Sequence, residues 1–211
     1  MSKAQTQPRG RTREHILELA EEAVLEKGFA ATSIEELVAA AGISKSGFFY
    51  HFQDKGELAE ALLERYLDRD EAVYNDLFDR ADDLNEDPLH GFLVGLKLFA
   101  EMMDDLPHGH PGCLVASYCY QDQMFNKTVR DLNAAGVLRW RRRFRGHLDR
   151  IAARYPPRVE VDLDALADMV SALADGAIIV SKVVNDKTVL PKQIMLYREF
   201  IRAIFLGTEL H

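Results

Sequence analysis

Residues 32–55, TSIEELVAAAGISKSGFFYHFQDK, decide how the rest of this chain is read. They describe two short helices joined by a tight turn, followed by the start of a third. Thr32 or Ser33 can N-cap the first helix, with Glu35 or Glu36 three residues on to complete a capping box. Ile34, Leu37, Val38 and Ala41 recur at helical spacing and form one apolar stripe. Ala39-Ala40-Ala41 keeps the surface low enough for another helix to cross closely. Gly42 ends the helix, as glycine does where the chain must turn through positive φ. Ile43 can plug the corner, and Ser44 caps a second helix that runs to about Phe52. Two helices, a short turn containing glycine and a small-residue crossing together predict a helix-turn-helix.

Two residue choices sharpen that reading. The second helix leads with the short polar face Ser44, Lys45, Ser46 and Gly47, where a solvated helix would carry longer charged side chains. Gly47 costs about 1 kcal/mol in a helix interior relative to alanine, so its presence predicts a close approach by another molecule. Asp54 and Glu57 then form the capping box of the next helix, with Lys55 in its first turn. A cation there opposes the helix dipole. It is either a solvated lysine or one that meets an anion at the helix start, and a DNA phosphate would serve.

These residues resemble a known family. Phe29, the Thr32-Ser33 start, Ala40-Ala41-Gly42-Ile43-Ser44-Lys45, the aromatic run Phe48 to Phe52 and Lys55 look like the DNA-binding region of the TetR family of bacterial transcriptional regulators, over about residues 12 to 60. The family usually has Tyr where this chain has Phe49, and that hydroxyl often contacts a DNA phosphate. Tyr50 offers a hydroxyl in a different direction. The resemblance, with the local reading above, implies a DNA-contacting set of Thr32, Ser33, Ser44, Lys45, Ser46, Gly47, Tyr50, His51 and Lys55. It also implies a homodimer on a palindromic double-stranded operator.

Composition constrains how DNA could be held. The chain has 211 residues, 28% charged and 47% hydrophobic, with a net charge of −8, so it does not coat nucleic acid by bulk charge. Residues 1–55 carry seven Lys/Arg against eight Asp/Glu, and the remainder nineteen against twenty-six. DNA affinity must therefore come from local placement. No signal peptide or membrane-length apolar run is evident, and two cysteines suit a reducing cytoplasm, so a bacterial cytoplasmic location is expected.

The remaining chain reads as helix throughout, about nine helices in an all-α fold. Two domains are expected: residues 1–55 as the helix-turn-helix unit and residues 56–211 as a helical ligand-binding and dimerisation domain. Residues 1–11, polar with Pro8 and Gly10, predict a flexible arm, either a plain terminus or one that enters a minor groove. The first helix starts at Thr12 or Arg13 and ends at Gly28. A long helix continues past Lys55 to about Ala81 without internal proline, a stiff rod leaving the DNA-binding unit. Further helices cover about 89–105, 113–120, 126–155, 162–184 and 191–206.

The last two helices carry broad apolar stripes among small residues. An isolated pair could simply close a core. The resemblance implies instead that Val170, Leu173, Ala174, Ala177, Ile178, Ile194, Tyr197, Ile201, Ile204 and Phe205 pair with a second copy in a four-helix interface. It also implies an apolar pocket for a small-molecule effector. The candidate lining is Phe92, Leu96, Phe99, Met103, Tyr118, Met124, Phe125, Trp140 and Phe144, a list that is partly core by its nature.

Three other features complete the inventory. His108, His110 and Cys113 stand at ligand-like spacing, but a Gly/Pro loop without a nearby fourth ligand predicts no metal. Cys113 and Cys119 lie about 240° apart around a helix, too far for a local disulfide; each is either a buried apolar side chain or a redox or electrophile sensor. The run Arg139-Trp140-Arg141-Arg142-Arg143-Phe144-Arg145 is the most basic in the chain; it either meets DNA or an anionic ligand or, since its arginines spread around most of the helix, forms a solvated face that pairs with acidic neighbours. No cofactor motif, paired catalytic carboxylates or activated nucleophile is present, so no enzyme activity is expected. The expected function is a ligand-responsive homodimeric DNA-binding regulator, most simply a repressor. The competing class is a helical carrier or enzyme on the same scaffold that no longer reads DNA.

Overall fold

A computed structural model describes residues 9–207. Among the described residues the chain is all-helical, with nine α-helices, one short 3-10 turn at 122–124 and no strand. The helices are α1 (Arg9–Lys27), α2 (Ile34–Ala41), α3 (Lys45–His51), α4 (Lys55–Leu84), α5 (Pro88–Asp104), α6 (Leu114–Cys119), α7 (Lys127–Arg154), α8 (Leu163–Val184) and α9 (Val189–Leu206). Most boundaries follow local chemistry. Asp87 caps α5 through the N–H groups of Leu89 and His90, and Asp162 caps α8 through those of Asp164 and Ala165. Asn185 ends α8 in the left-handed region at φ 54°.

Two boundaries differ from expectation. Arg9, Gly10 and Arg11 belong to α1, so the expected arm is shortened there. Its remaining residues, 1–8, lie outside the described residues. The long helix α4 also continues three residues past Ala81, whose side chain is fully buried.

The chain divides into two compact units, Met1–Leu67 with Cys113–Ala134, and Asp68–Gly112 with Ala135–His211. This division differs from a cut at residue 55. It keeps the first part of α4 with the helix-turn-helix and returns α6 and the start of α7 to the same unit. The reason is packing between residues remote in sequence. Phe29, which follows α1, meets Tyr118 edge-on at 5.7 Å and Phe125 at 4.8 Å, while Tyr118 and Phe125 stack at 4.3 Å. The Tyr118 hydroxyl donates to the Ala59 carbonyl of α4 at 3.0 Å. Gln121 accepts from the Ala30 N–H at 2.9 Å. Gly28, at φ +87°, leaves room for this glutamine, since a Cβ there would lie 2.5 Å from Gln121 Nε2.

The second unit is built around one hydrophobic core. Phe78 of α4, Leu89, Phe92, Leu93 and Leu96 of α5, Phe144, Leu148 and Ile151 of α7, Leu166 and Val170 of α8, and Tyr197, Ile201 and Phe205 of α9 share it. The Tyr197 hydroxyl donates to the Leu166 carbonyl at 2.9 Å, so the one polar group among these side chains is satisfied as it is buried. Full burial of a phenylalanine or leucine contributes about 1.5–3 kcal/mol, which makes this cluster the main source of the unit's stability.

Candidate nucleic-acid interface

The helix-turn-helix is assembled by three caps. Ser33 is the N-cap of α2: its hydroxyl accepts from the Glu36 N–H at 3.1 Å, and the Glu36 carboxylate returns to the Ser33 backbone. Gly42 closes α2 at φ 65°, in the left-handed region, with the Gly42 and Ile43 N–H groups bonded back to Ala39 and Val38. Ser44 caps α3 by accepting from the Gly47 N–H at 3.1 Å. Phe48 and Phe52 point inward and are buried, which fixes the rotation of α3. The opposite face then presents Lys45, Ser46, Phe49 and Tyr50 to solvent. These are positions i, i+1, i+4 and i+5, one side of a helix.

The expected DNA-contacting residues do not all reach that side. Ser33, Ser44, Lys45, Ser46 and Tyr50 are exposed, and His51 is half-buried with its ring 5.2 Å from that of Tyr50. Thr32 is a correction: it is 1% exposed and donates its hydroxyl to the Gly28 carbonyl at 3.0 Å, so it stitches the α1–α2 turn and presents no group outward. Of the two candidate caps, only Ser33 caps α2. Gly47 has ordinary space around it, the nearest atom to an added Cβ being Ser44 Oγ at 3.4 Å. Internal packing therefore does not demand a glycine there. Phe49, where Tyr is usual in the resembling family, is 44% exposed.

The two lysines differ in what they already hold. Lys45, with a side chain 60% exposed, donates to Glu35 of α2 at 2.6 Å, and this hydrogen bond holds the Glu35 carboxyl below the usual range. Lys55 is half-buried. It donates to the Phe29 carbonyl at 2.6 Å and lies 4.4 Å from the centre of the Phe29 ring. Burial lowers its pKa. The start of α4 is closed by a reciprocal box, with Asp54 accepting from the Glu57 N–H at 2.8 Å and Glu57 accepting from the Gln53 N–H at 2.6 Å. Lys55 is thus a tie between the α1–α2 turn and α4.

A family model described as "Bacterial regulatory proteins, tetR family" matches residues 16–62, the span from α1 to the first turns of α4. The chain is 30% identical over 167 residues to the transcriptional regulator AcuR of Cereibacter sphaeroides, covering 76% of this chain and 72% of that protein. The chain belongs to the TetR family. It is also 32% identical over 109 residues to the HTH-type transcriptional repressor NemR of Escherichia coli, a match that spans 55% of NemR's length and 44% of this chain. A TetR-family transcriptional regulator from Agrobacterium tumefaciens has the same fold, with a TM-score of 0.77 at 20% identity over 94% of this chain and 100% of that one.

Most of the expected dimer residues of this TetR-family chain face inward. Val170, Ala177, Ile178, Ile194, Tyr197, Ile201, Ile204 and Phe205 are buried within their own unit, and Leu173 and Ala174 are half-buried. The adjacent stripe is the open one: Met169, Ile179, Val180, Val183 and Val184 on α8, with Leu196 and Phe200 on α9. Each helix carries apolar residues on two sides, and sequence periodicity could not say which side α5 and α7 would cover. Ala172, Gly176, Ile179 and Val183 recur at helical spacing along the open side, two small residues followed by two apolar ones.

The expected pocket residues also disperse. Phe92, Leu96 and Phe144 are in the second unit's closed core, while Phe99, Met103 and Trp140 are buried beside it. Tyr118 and Phe125 pack in the first unit, and Met124 is half exposed. Two open clefts among the described residues of the second unit are lined by other side chains. One, of about 430 Å³, lies between α5 and α9 against Ala100, Pro191 and Met195, with Lys97, Glu101 and Lys192 at its rim. The other, of about 590 Å³, lies between α4 and α7 and is lined by arginines from the basic run.

Cys113 is half-buried and caps α6 through a 3.4 Å contact from the Ala116 N–H; Cys119 is exposed; neither is in a disulfide. His110 Nδ1 accepts from the Gly112 N–H at 3.2 Å, and among the described residues no three His, Cys, Asp or Glu side chains gather as metal ligands. Among the same residues no helix is long and apolar enough to cross a membrane.

Proposed function

We propose that the protein is a homodimeric DNA-binding repressor that is released from a palindromic operator by a small molecule. The observation that carries this reading is the outward face of α3. Its leading residues, Ser44 to Gly47, are short and polar, its lysine is exposed, and Gly47 has no internal reason to lack a side chain. A helix offered to the major groove needs these properties, because its N-terminal residues must reach base edges while the backbone comes close to the duplex. Lys45 can donate to guanine O6 or N7. Ser33, Ser46, Tyr50 and His51 flank it for phosphate and sugar contacts. Relatives named as HTH-type transcriptional repressors, NemR of Escherichia coli and KstR2 of Mycobacterium tuberculosis, support repression over activation.

The exposed apolar stripe of α8 and α9 supports the dimer. Val183 at 79% exposure and Leu196 at 61% are too apolar to be left to water along two helices, and a second copy would cover them with the same stripe. Two recognition helices brought together in this way would read half-sites about one helical turn of DNA apart, ~34–36 Å. The experiment is fluorescence anisotropy with DNA flanking the protein's own gene, alongside light scattering of the free protein. Saturable binding by a dimer, with preference over scrambled DNA, is expected. A monomer, or equal affinity for both DNAs at every salt concentration, overturns the reading.

A further inference from the structure

The cleft between α4 and α7 in the second unit has a character that regulation of DNA does not by itself explain. It is about 590 Å³ and is lined by Glu71 from α4 and by Arg139, Arg142, Arg143, His147 and Arg150 from α7. Much of this charge is arranged as a zipper between the helices. Arg139 lies 3.6 Å from Asp68, Arg143 donates to Glu71 and, at 2.7 Å, to Asn75, and Arg150 lies 3.0 Å from Asp82. Three features exceed what a zipper needs.

Four guanidinium groups meet three carboxylates, and the exposed Arg142 has no acidic partner among the described residues. Arg143 Nε is buried without a hydrogen bond among those residues, a donor left for an acceptor, while the equally unpaired Glu71 Oε2 repels an anion and sets the side of the cleft it would avoid. His147 supplies a neutral wall. It is 8% exposed, stacks on Phe92 at 5.2 Å and leans on Phe78 at 4.9 Å, and its Nδ1 accepts from Arg150 at 2.8 Å. Burial first, and then Arg150, hold its pKa at about 4, so it adds no charge near neutrality. Beside it, Gly146 leaves the helix surface open, with no atom within 4 Å of an added Cβ.

We infer that the α4/α7 cleft is a binding site for a small oxyanion, a carboxylate or phosphate group held by the guanidinium forks of α7 against the His147 ring. Guanidinium groups present paired N–H donors that match the two oxygens of such a group, which lysines would not. The excess positive charge lies within the cleft, while the chain as a whole is acidic, so the attraction is local. The binding stands on this geometry alone. Its use as the effector site rests on the regulatory reading above.

Isothermal titration at constant ionic strength, with inorganic phosphate in one arm and succinate in the other, tests the site on the full chain. Saturation at one anion per chain is expected in at least one arm, and which arm responds tells phosphate from carboxylate ligands. Gly146→Glu places a carboxylate in the cleft at a position with open space, and Arg142→Gln removes its unpaired cation; each should weaken binding about tenfold or more. Arg202→Gln, on α9 and 3.8 Å from Glu199, should leave it unchanged. Absence of saturable binding in both arms, or binding that survives both cleft variants, overturns the site. Binding that leaves DNA affinity unchanged keeps the site and removes its role as effector pocket.

Discussion

Lys45 Nζ lies 2.6 Å from a Glu35 carboxylate oxygen, so the first residue of the recognition helix is paired with the helix before it. The pair is solvent-exposed, and exposed pairs add little to stability. Its consequence is for binding: in the free protein the ammonium is not idle, and it must leave Glu35 to reach a base edge. Glu35→Gln should therefore raise affinity for operator and scrambled DNA alike, by removing a repelling carboxylate and freeing the lysine. Lys45→Ala should cost about 1–3 kcal/mol on the operator and relax preference at one base pair per half-site. Anisotropy titrations of both variants on both DNAs read the difference. Unchanged specificity in Lys45→Ala would remove Lys45 from base readout.

Lys55 carries a different expectation. Its ammonium is engaged by the Phe29 carbonyl and ring, at the point where the α1–α2 turn meets α4. Lys55→Gln keeps length and polarity but loses the charge-assisted bond and the cation–π contact, so it should lower unfolding stability by about 1–2 kcal/mol. If Lys55 also met a DNA phosphate, the slope of log affinity against log salt would flatten by about 0.9 per half-site. Urea unfolding and a salt series separate the two. A stability loss with an unchanged slope is expected from a side chain already half-buried.

Where the chain was legible and where it was not follows from the range of the interactions. Ser33, Gly42 and Ser44 act on N–H groups or φ angles within a few residues, so the helix-turn-helix could be read from its own letters. Thr32 was ambiguous because two adjacent hydroxyls can each cap, and only the return of the chain to the Gly28 carbonyl decides between them. Tyr118, Gln121 and Phe125 could not be assigned to the first unit from sequence, since their partners Phe29, Ala30 and Ala59 lie far along the chain. On α8 and α9 periodicity found apolar residues on two sides but not which side the protomer covers. The arginine run reads from sequence as a face that pairs with acidic neighbours or meets an anion, and Asp68, Glu71 and Asp82 of α4 supply such neighbours. What the sequence could not show was that those charges enclose a cleft with His147 as its wall.

Acid should weaken the fold through two histidines of the second unit. His147 and His110 both have pKa values of about 4, burial being the first cause in each, with Arg150 and Arg143 acting on His147 against Asp82, and Lys182 and Arg69 acting on His110. The unfolded chain, with histidine near about 6.5, binds more protons in this interval, so stability is complete above about pH 6.5 and falls as pH drops toward about 4. The shift is the same for both, so the loss is on the order of 3 kcal/mol for each. Urea midpoints at about pH 7 and about pH 5 should differ in wild type, and His147→Gln should flatten the difference. A pH-independent midpoint would show that His147 is protonated in the folded state.

The last expectation separates the two sides of α8 and α9. Val183, Leu196 and Phe200 are exposed, whereas Ile201 and Tyr197 are buried in the protomer's own core. If the outer stripe holds a second copy, Val183→Glu combined with Phe200→Glu should leave each chain folded, because neither side chain belongs to the protomer's buried core, but should produce monomers. A monomer presents one recognition helix to a two-half-site operator, so its DNA affinity should fall toward non-specific binding. Ile201→Ala should behave the opposite way. It removes buried methyl groups beside Phe92 and Tyr197 and should cost about 2–5 kcal/mol of protomer stability, while leaving the outer stripe intact. Light scattering with circular dichroism distinguishes the cases. A Val183→Glu/Phe200→Glu protein that stays dimeric would place the interface elsewhere on the chain.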